Sequence, residues 1–221
     1  MSVAAEVYRR LHAALGPQHW WPAESPFEVM VGAVLVQNTA WKNVERAIAH
    51  LRDADALDPH RLAALSPAEL EELIRPAGYF RVKAKRLRNL LAWFIEQYHG
   101  SIDALQSADA GTLREELLSL NGIGPETADS ILLYALHKPV LVVDAYAKRI
   151  WLRHEWIDEQ ADYHQLQETI ADQLPADAAI FNELHAQLVH VGHHWCKPTP
   201  KCEECPLRDM LPRQGLSIDS R

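Results

Sequence analysis

Apolar positions recur every three or four residues along most of the chain, the spacing of one buried face on an α-helix. In residues 41–51, Val44, Ala47, Ile48 and Leu51 fall on one side. Leu87, Leu90, Leu91, Phe94 and Tyr98 form the longest stripe, which stops before Gly100. The same spacing predicts helices over 113–120, 126–136, 145–153, 163–174 and 178–193. Start signals agree with it. Ser25-Pro26 puts proline in a first turn, where its missing N–H costs nothing, and Ser66-Pro67-Ala68-Glu69 has the form of a capping box. Gly78 reads as a stop. Val140, Val142 and Val143 make a β-branched run too short and isolated to predict a sheet. The pattern predicts an all-α protein with short loops, with Trp93, Phe94 and Tyr98 in its core.

No apolar run approaches the roughly 20 residues of a membrane span; residues 29–36 come nearest. Residues 1–15 read as an amphipathic helix and lack the features of a signal peptide. The 221 residues suit one large domain or two small ones, and 48% hydrophobic with 24% charged residues is ordinary for a globular protein. Three cysteines confined to 196–205 exclude a disulfide framework and point to a cytosolic protein with one local use for sulfur.

A net charge of −8 argues at first against a polyanionic partner, but its placement matters more. Residues 154–196 contain no lysine or arginine and carry eight acidic residues, which leaves 22 acidic against 22 basic elsewhere. Arg81, Lys83, Lys85, Arg86 and Arg88 cluster without an acid among them. Such a group is either one solvated helix face or a phosphate-contacting patch, because binding depends on the local field.

The turn at Leu120-Asn121-Gly122-Ile123-Gly124-Pro125-Glu126-Thr127-Ala128 joins two helical patterns. Its glycines permit a tight turn and close approach of another backbone, and the helix that follows points free N–H groups outward. By spacing alone this is either a plain helical corner or an anion site. Downstream, Leu141-Val142-Val143-Asp144 leads into a helix, where Asp144 suits an N-cap. Cys196-x5-Cys202-x2-Cys205 has the close spacing of metal-binding thiolates.

These blocks, with Val36-Gln37-Asn38-Thr39 and Gly78-Tyr79-Phe80-Arg81-Val82-Lys83-Ala84, occur in the order found in the helix-hairpin-helix (HhH-GPD) DNA glycosylase superfamily. The chain resembles its endonuclease III branch. The resemblance implies two helical domains. Residues 25–138 would form a six-helix barrel carrying the hairpin; residues 1–24 and 139–221 would form a second domain ending in the cysteine loop. It also implies a base excision repair glycosylase acting on double-stranded DNA as a monomer, cytoplasmic and DNA-associated. Asp144 matches the catalytic carboxylate. Gln37 matches the residue that fills the gap left by an extruded base, and Gly122, Gly124, Thr127 and Lys83 fall in the DNA-binding blocks.

Two departures from the family pattern carry information. Bifunctional members have lysine at the Glu126 position, where an amine attacks the sugar and forms an imine; a carboxylate cannot. Trp20, Trp21 and Trp41 lie near the Gln37 block in sequence, and Glu126 combined with a tryptophan just after that block resembles members that excise alkylated purines. The family's cysteine pattern, C-x6-C-x2-C-x5-C around a [4Fe–4S] cluster, is matched by Cys196, Cys202 and Cys205, but the first gap is one shorter and Leu211 stands fourth. A cluster with an outside ligand, a Cys3His zinc site drawing on His190, His193 or His194, and a metal-free remnant all remain open at this point. The alternatives for function are a bifunctional glycosylase/lyase, a non-catalytic DNA-binding relative, and a zinc-binding helical module.

Overall fold

The computed structural model describes residues 2–212; Met1 and residues 213–221, the tail of the second expected domain, lie outside it. No strand occurs among the described residues. In chain order the helices are α1 (Val3–Leu15), α2 (Pro26–Leu35), α3 (Trp41–Asp53), α4 (Pro59–Ala64), α5 (Pro67–Leu73), α6 (Phe80–Tyr98), α7 (Ile102–Ser107), α8 (Ala110–Ser119), α9 (Pro125–Ser130), α10 (Ala145–Arg153), α11 (Tyr163–Ala171) and α12 (Ala178–His194). They fall into two compact units, one of Trp21–Lys138 and one of Met1–Trp20 with Pro139–Arg221.

In the first unit α2 is apolar but for Glu28, and every residue from Phe27 to Leu35 is buried, Glu28 accepting from Arg52 Nη2 at 2.9 Å. Ser25 accepts from the Glu28 N–H and Pro26 fills the first turn, so the expected start is the observed one. The Ser66–Glu69 capping box of α5 is fully formed. Trp93 and Phe94 are buried, and Glu116 Oε2 on α8 accepts from both Trp93 Nε1 and Tyr98 Oη at 2.9 Å. Burial and that carboxylate push the Tyr98 phenol up to about 12. The sequence pattern did not predict α4 and α7. Each is a six-residue helix, too short for periodicity, and each is defined by its cap: Asp58 for α4 and Ser101 for α7. After α9 the chain widens into a π-helical turn at Ile131–Ala135, all of it buried.

In the second unit α12 packs against both α1 and α10. Gly192 makes the close approach to α10, since a Cβ there would sit 2.3 Å from Tyr146 Cδ1. Trp151 is fully buried and meets Trp156 edge-on. The Val140–Val143 run forms neither helix nor strand.

Candidate active site

The hairpin turn lies between α8 and α9. Gly122 has φ +96°, a left-handed conformation that favours glycine, and a Cβ there would fall 2.3 Å from Arg86 Cγ. Gly124 has φ −98°, and a Cβ added to it would meet nothing within 4 Å, so the close-approach argument applies to Gly122 alone. Gln37 reaches this turn from the end of α2. Its Nε2 donates to Gly122 O at 3.1 Å and to Thr127 Oγ1 at 2.9 Å, while Arg86 Nη1 donates to its Oε1. Gln37, Gly122 and Thr127 thus lie together, joined by Arg86, which the sequence placed only in the basic group of 81–88. Thr127 itself is buried. Its hydroxyl serves Gln37.

A second feature the sequence hid is the clamp beneath the hairpin. Arg114 on α8 donates from Nε and Nη2 to the two carboxylate oxygens of Asp129 on α9, at 2.7 and 3.1 Å. Asp129 is completely buried. This fork-on-fork pair holds the two hairpin helices in register. Glu126 sits exposed in the first turn of α9, where an acid also suits the helix dipole.

The expectation that Lys83 contacts DNA is corrected by its surroundings. It is 1% exposed, and its Nζ donates to Leu35 O and Ala77 O, both at 2.8 Å, so it ties α6 to the ends of α2 and the α5 turn and presents no ammonium to a phosphate. Burial, with Arg86 nearby, holds it down at about 8. Because an unfolded lysine titrates at 10.5, the unfolded chain binds more protons between those values. Wild-type stability relative to Lys83→Met should therefore rise as pH goes from about 8 to about 10.5, and stay level below it. Urea midpoints of the two proteins at pH values spanning that window check this; a constant difference contradicts it. Of the basic group, Arg81 and Lys85 are the exposed members. Beside them Tyr79 is 73% exposed with φ +46°, and Val82 is 47% exposed.

Asp144 caps α10. Its Oδ1 accepts from Ala147 N at 2.8 Å, and its Oδ2 lies 3.9 Å from His185 Nε2 on α12. Burial holds the His185 imidazole below its ordinary value, while Asp144 pulls it back up. Capping and a second task for Asp144 are compatible because they use different oxygens. The tryptophans divide: Trp21 packs edge-on to Trp41 with centroids 4.9 Å apart and meets Tyr134 at 5.3 Å, whereas Trp20 belongs to the other unit.

The cysteines line one small cavity together with Arg153, His154 and Leu211. Arg153, largely buried, donates to Cys196 Sγ at 3.3 Å and to Pro198 O at 2.9 Å, and Arg149 donates to Cys196 O at 2.7 Å. Burial pushes the Cys205 thiol up to about 11; it also raises Cys202, and in both the neighbouring sulfurs act in the same direction. Among the described residues no three His, Cys, Asp or Glu side chains converge on a point that could hold one ion. The histidines considered for zinc are engaged elsewhere: His190 stacks on His194, and His193 bonds Tyr146 Oη. To any metal group the structure offers three thiols around one cavity and no convergent single-ion site among the described residues.

The class these features define is found by comparison. The family model for the HhH-GPD superfamily base excision DNA repair proteins matches residues 31–176, and the chain belongs to that family as a DNA repair N-glycosylase. A relative from Methanocaldococcus jannaschii that carries the name of a DNA repair glycosylase is 45% identical over 92% of this chain and 93% of its own. Endonuclease III of Thermotoga maritima is 33% identical over 83% of this chain and 81% of its own. Among solved structures, the H. pylori 3-methyladenine DNA glycosylase MagIII bound to 1,N6-ethenoadenine superposes with a TM-score of 0.73 at 29% identity, covering 85% of this chain and 96% of that one. An endonuclease III trapped covalently on DNA gives 0.81 at 23% identity over 99% and 97% of the two chains, a likeness of fold.

Proposed function

We propose that this glycosylase is monofunctional: it flips an alkylated purine out of double-stranded DNA, hydrolyses its N-glycosidic bond and leaves the strand uncut. The observation that carries this reading is the presence of Glu126 in the hairpin helix together with an Asp144 whose Oδ2 is not used by its cap. A carboxylate at the hairpin has no amine nitrogen with which to form an imine, so water is the nucleophile. As the glycosidic bond breaks, its electron pair leaves with the base and positive charge develops on the sugar. Asp144 stabilises that charge and accepts the proton of the attacking water. A methylated purine already carries positive charge and leaves as a neutral base, so no strong acid is needed.

The Trp21–Trp41–Tyr134 group supports a cationic, flat substrate, since indole faces attract cations. The name of the MagIII neighbour points the same way. For the duplex, exposed Tyr79 and Val82 beside Arg81 and Lys85 suit a wedge that unstacks bases while the cations meet phosphates. Gln37 leaves its bonds to Gly122 and Thr127 to enter the gap left by the base. Cys196, Cys202 and Cys205 would hold a [4Fe–4S] cluster, which when bound cross-links the 196–211 loop and takes no part in base release.

A panel of duplexes carrying single 3-methyladenine, 7-methylguanine, ethenoadenine or oxidised-pyrimidine lesions tests the substrate class. Release of the alkylated purines above the oxidised pyrimidines is expected. Preference for oxidised pyrimidines would overturn the substrate assignment.

A further inference from the structure

The cavity ringed by Cys196, Cys202 and Cys205 has a corner with no donor. Leu211 lines it, at the position where the family pattern has a fourth cysteine, and a leucine side chain cannot ligate iron. We propose that the three cysteines hold a [4Fe–4S] cluster whose fourth iron, at the Leu211 corner, lacks a protein ligand and is exchangeable. This rests on the cluster assignment made above.

Charge supports three thiolates. A [4Fe–4S]2+ core with four thiolates carries two negative charges, and with three it carries one. Among the described residues lining the cavity, Arg153 is the one arginine or lysine; it is 7% exposed and donates directly to Cys196 Sγ. One buried positive charge against one net negative charge is the balance a low-dielectric site favours. Of the other lining residues, Trp195 has only an indole N–H, with no lone pair to offer iron, and His154 has an imidazole. Its Nδ1 is turned to Met210 O at 3.2 Å and its ring is stacked on Trp156 with centroids 4.2 Å apart. It joins no converging group of three potential ligands among the described residues. The cysteine end of the loop is held firmly, with Arg149 and Arg153 bonded to the carbonyls of Cys196, Lys197 and Pro198. Cys196 is therefore anchored, and the unligated iron is the weak point.

Its chemistry follows. Dioxygen removes one electron and becomes superoxide; the cluster goes from [4Fe–4S]2+ to [3Fe–4S]+ and releases one Fe2+. Ferrous iron with one electron from a dithionite-type reductant reverses the step.

The experiment uses full-length holoprotein prepared without oxygen and then exposed to air. Wild type should release one ferrous ion per cluster and develop the paramagnetic signal of a three-iron cluster. Reloading with isotopically enriched ferrous iron and reductant should place the label at a single site by Mössbauer spectroscopy. Leu211→Cys, which supplies the missing thiolate, should lose iron at least about tenfold more slowly, because removing even an outer partner of a metal site weakens it 10–100-fold. Equal retention of four irons in both proteins overturns the proposal. So does a histidine-nitrogen coupling to the cluster that vanishes in His154→Ala, which would assign the corner to that ring. If Leu211→Cys fails to fold, the wild-type reload still decides, since label spread over all sites excludes a unique iron. A preparation with no iron, or with zinc alone, removes the cluster assignment as well and is distinguished by metal content.

Discussion

Asp144→Asn should slow base release by about 10²–10⁴-fold, the range typical of losing a positioned general base, while the protein stays folded. Asparagine keeps an Oδ1 that can accept from Ala147 N, so the α10 cap survives, and asparagine is as good an N-cap as aspartate. What disappears is the negative charge on Oδ2. Thermal melting and affinity for undamaged duplex should stay close to wild type, because neither depends on that charge. Single-turnover base release on an alkylated duplex separates the two roles. A fully active Asp144→Asn protein would leave Asp144 as a cap and nothing more. A protein that fails to fold would show that the cap needs the charge, and Asp144→Ser, which caps without a carboxylate, then takes its place in the assay.

Arg114→Ala should destabilise the protein by about 3–5 kcal/mol, because it takes the guanidinium away from a buried carboxylate. Asp129 is fully buried, and Arg114 meets both of its oxygens. Replacing both residues with apolar side chains, as in Arg114→Met with Asp129→Leu, should recover most of the loss, since a buried ion pair contributes little beyond its own desolvation. Urea unfolding of the two single variants and the double variant closes the cycle and isolates the coupling. Because the pair joins α8 to α9, the single variants should also lose DNA affinity through a loosened hairpin. Additive losses in the cycle would mean that the pair does not act as a clamp.

Local signals account for what the sequence made visible. Caps and first-turn prolines are written in adjacent residues, so the starts at Ser25, Ser66 and Asp144 could be read directly. The hairpin and the Gln37 block were legible through the family resemblance, since glycine spacing alone left a plain helical corner open. Lys83 shows where reading by residue type fails. By type it groups with its basic neighbours, yet it lies four and seven residues before Leu87 and Leu90, on the buried stripe of α6, and that register was the available clue. Asp129 gave the same kind of hint, standing in a run of residues from 127 to 136 that are all buried. Its partner Arg114 is fifteen residues away, and nothing local links the two. The π-helical turn was invisible because an all-apolar run has no periodicity to distort. Arg86 meets Gln37 only through the packing of α6 beside α2, a tertiary fact.

In the proposed mechanism water, not a protein amine, attacks the sugar. Borohydride trapping on a duplex carrying one alkylated purine tests that step most directly, with Glu126 left intact and base release followed in parallel. Full base release is expected, with no covalent protein–DNA adduct and a strand that breaks only after heat or alkali. An adduct forming in step with base release would contradict it.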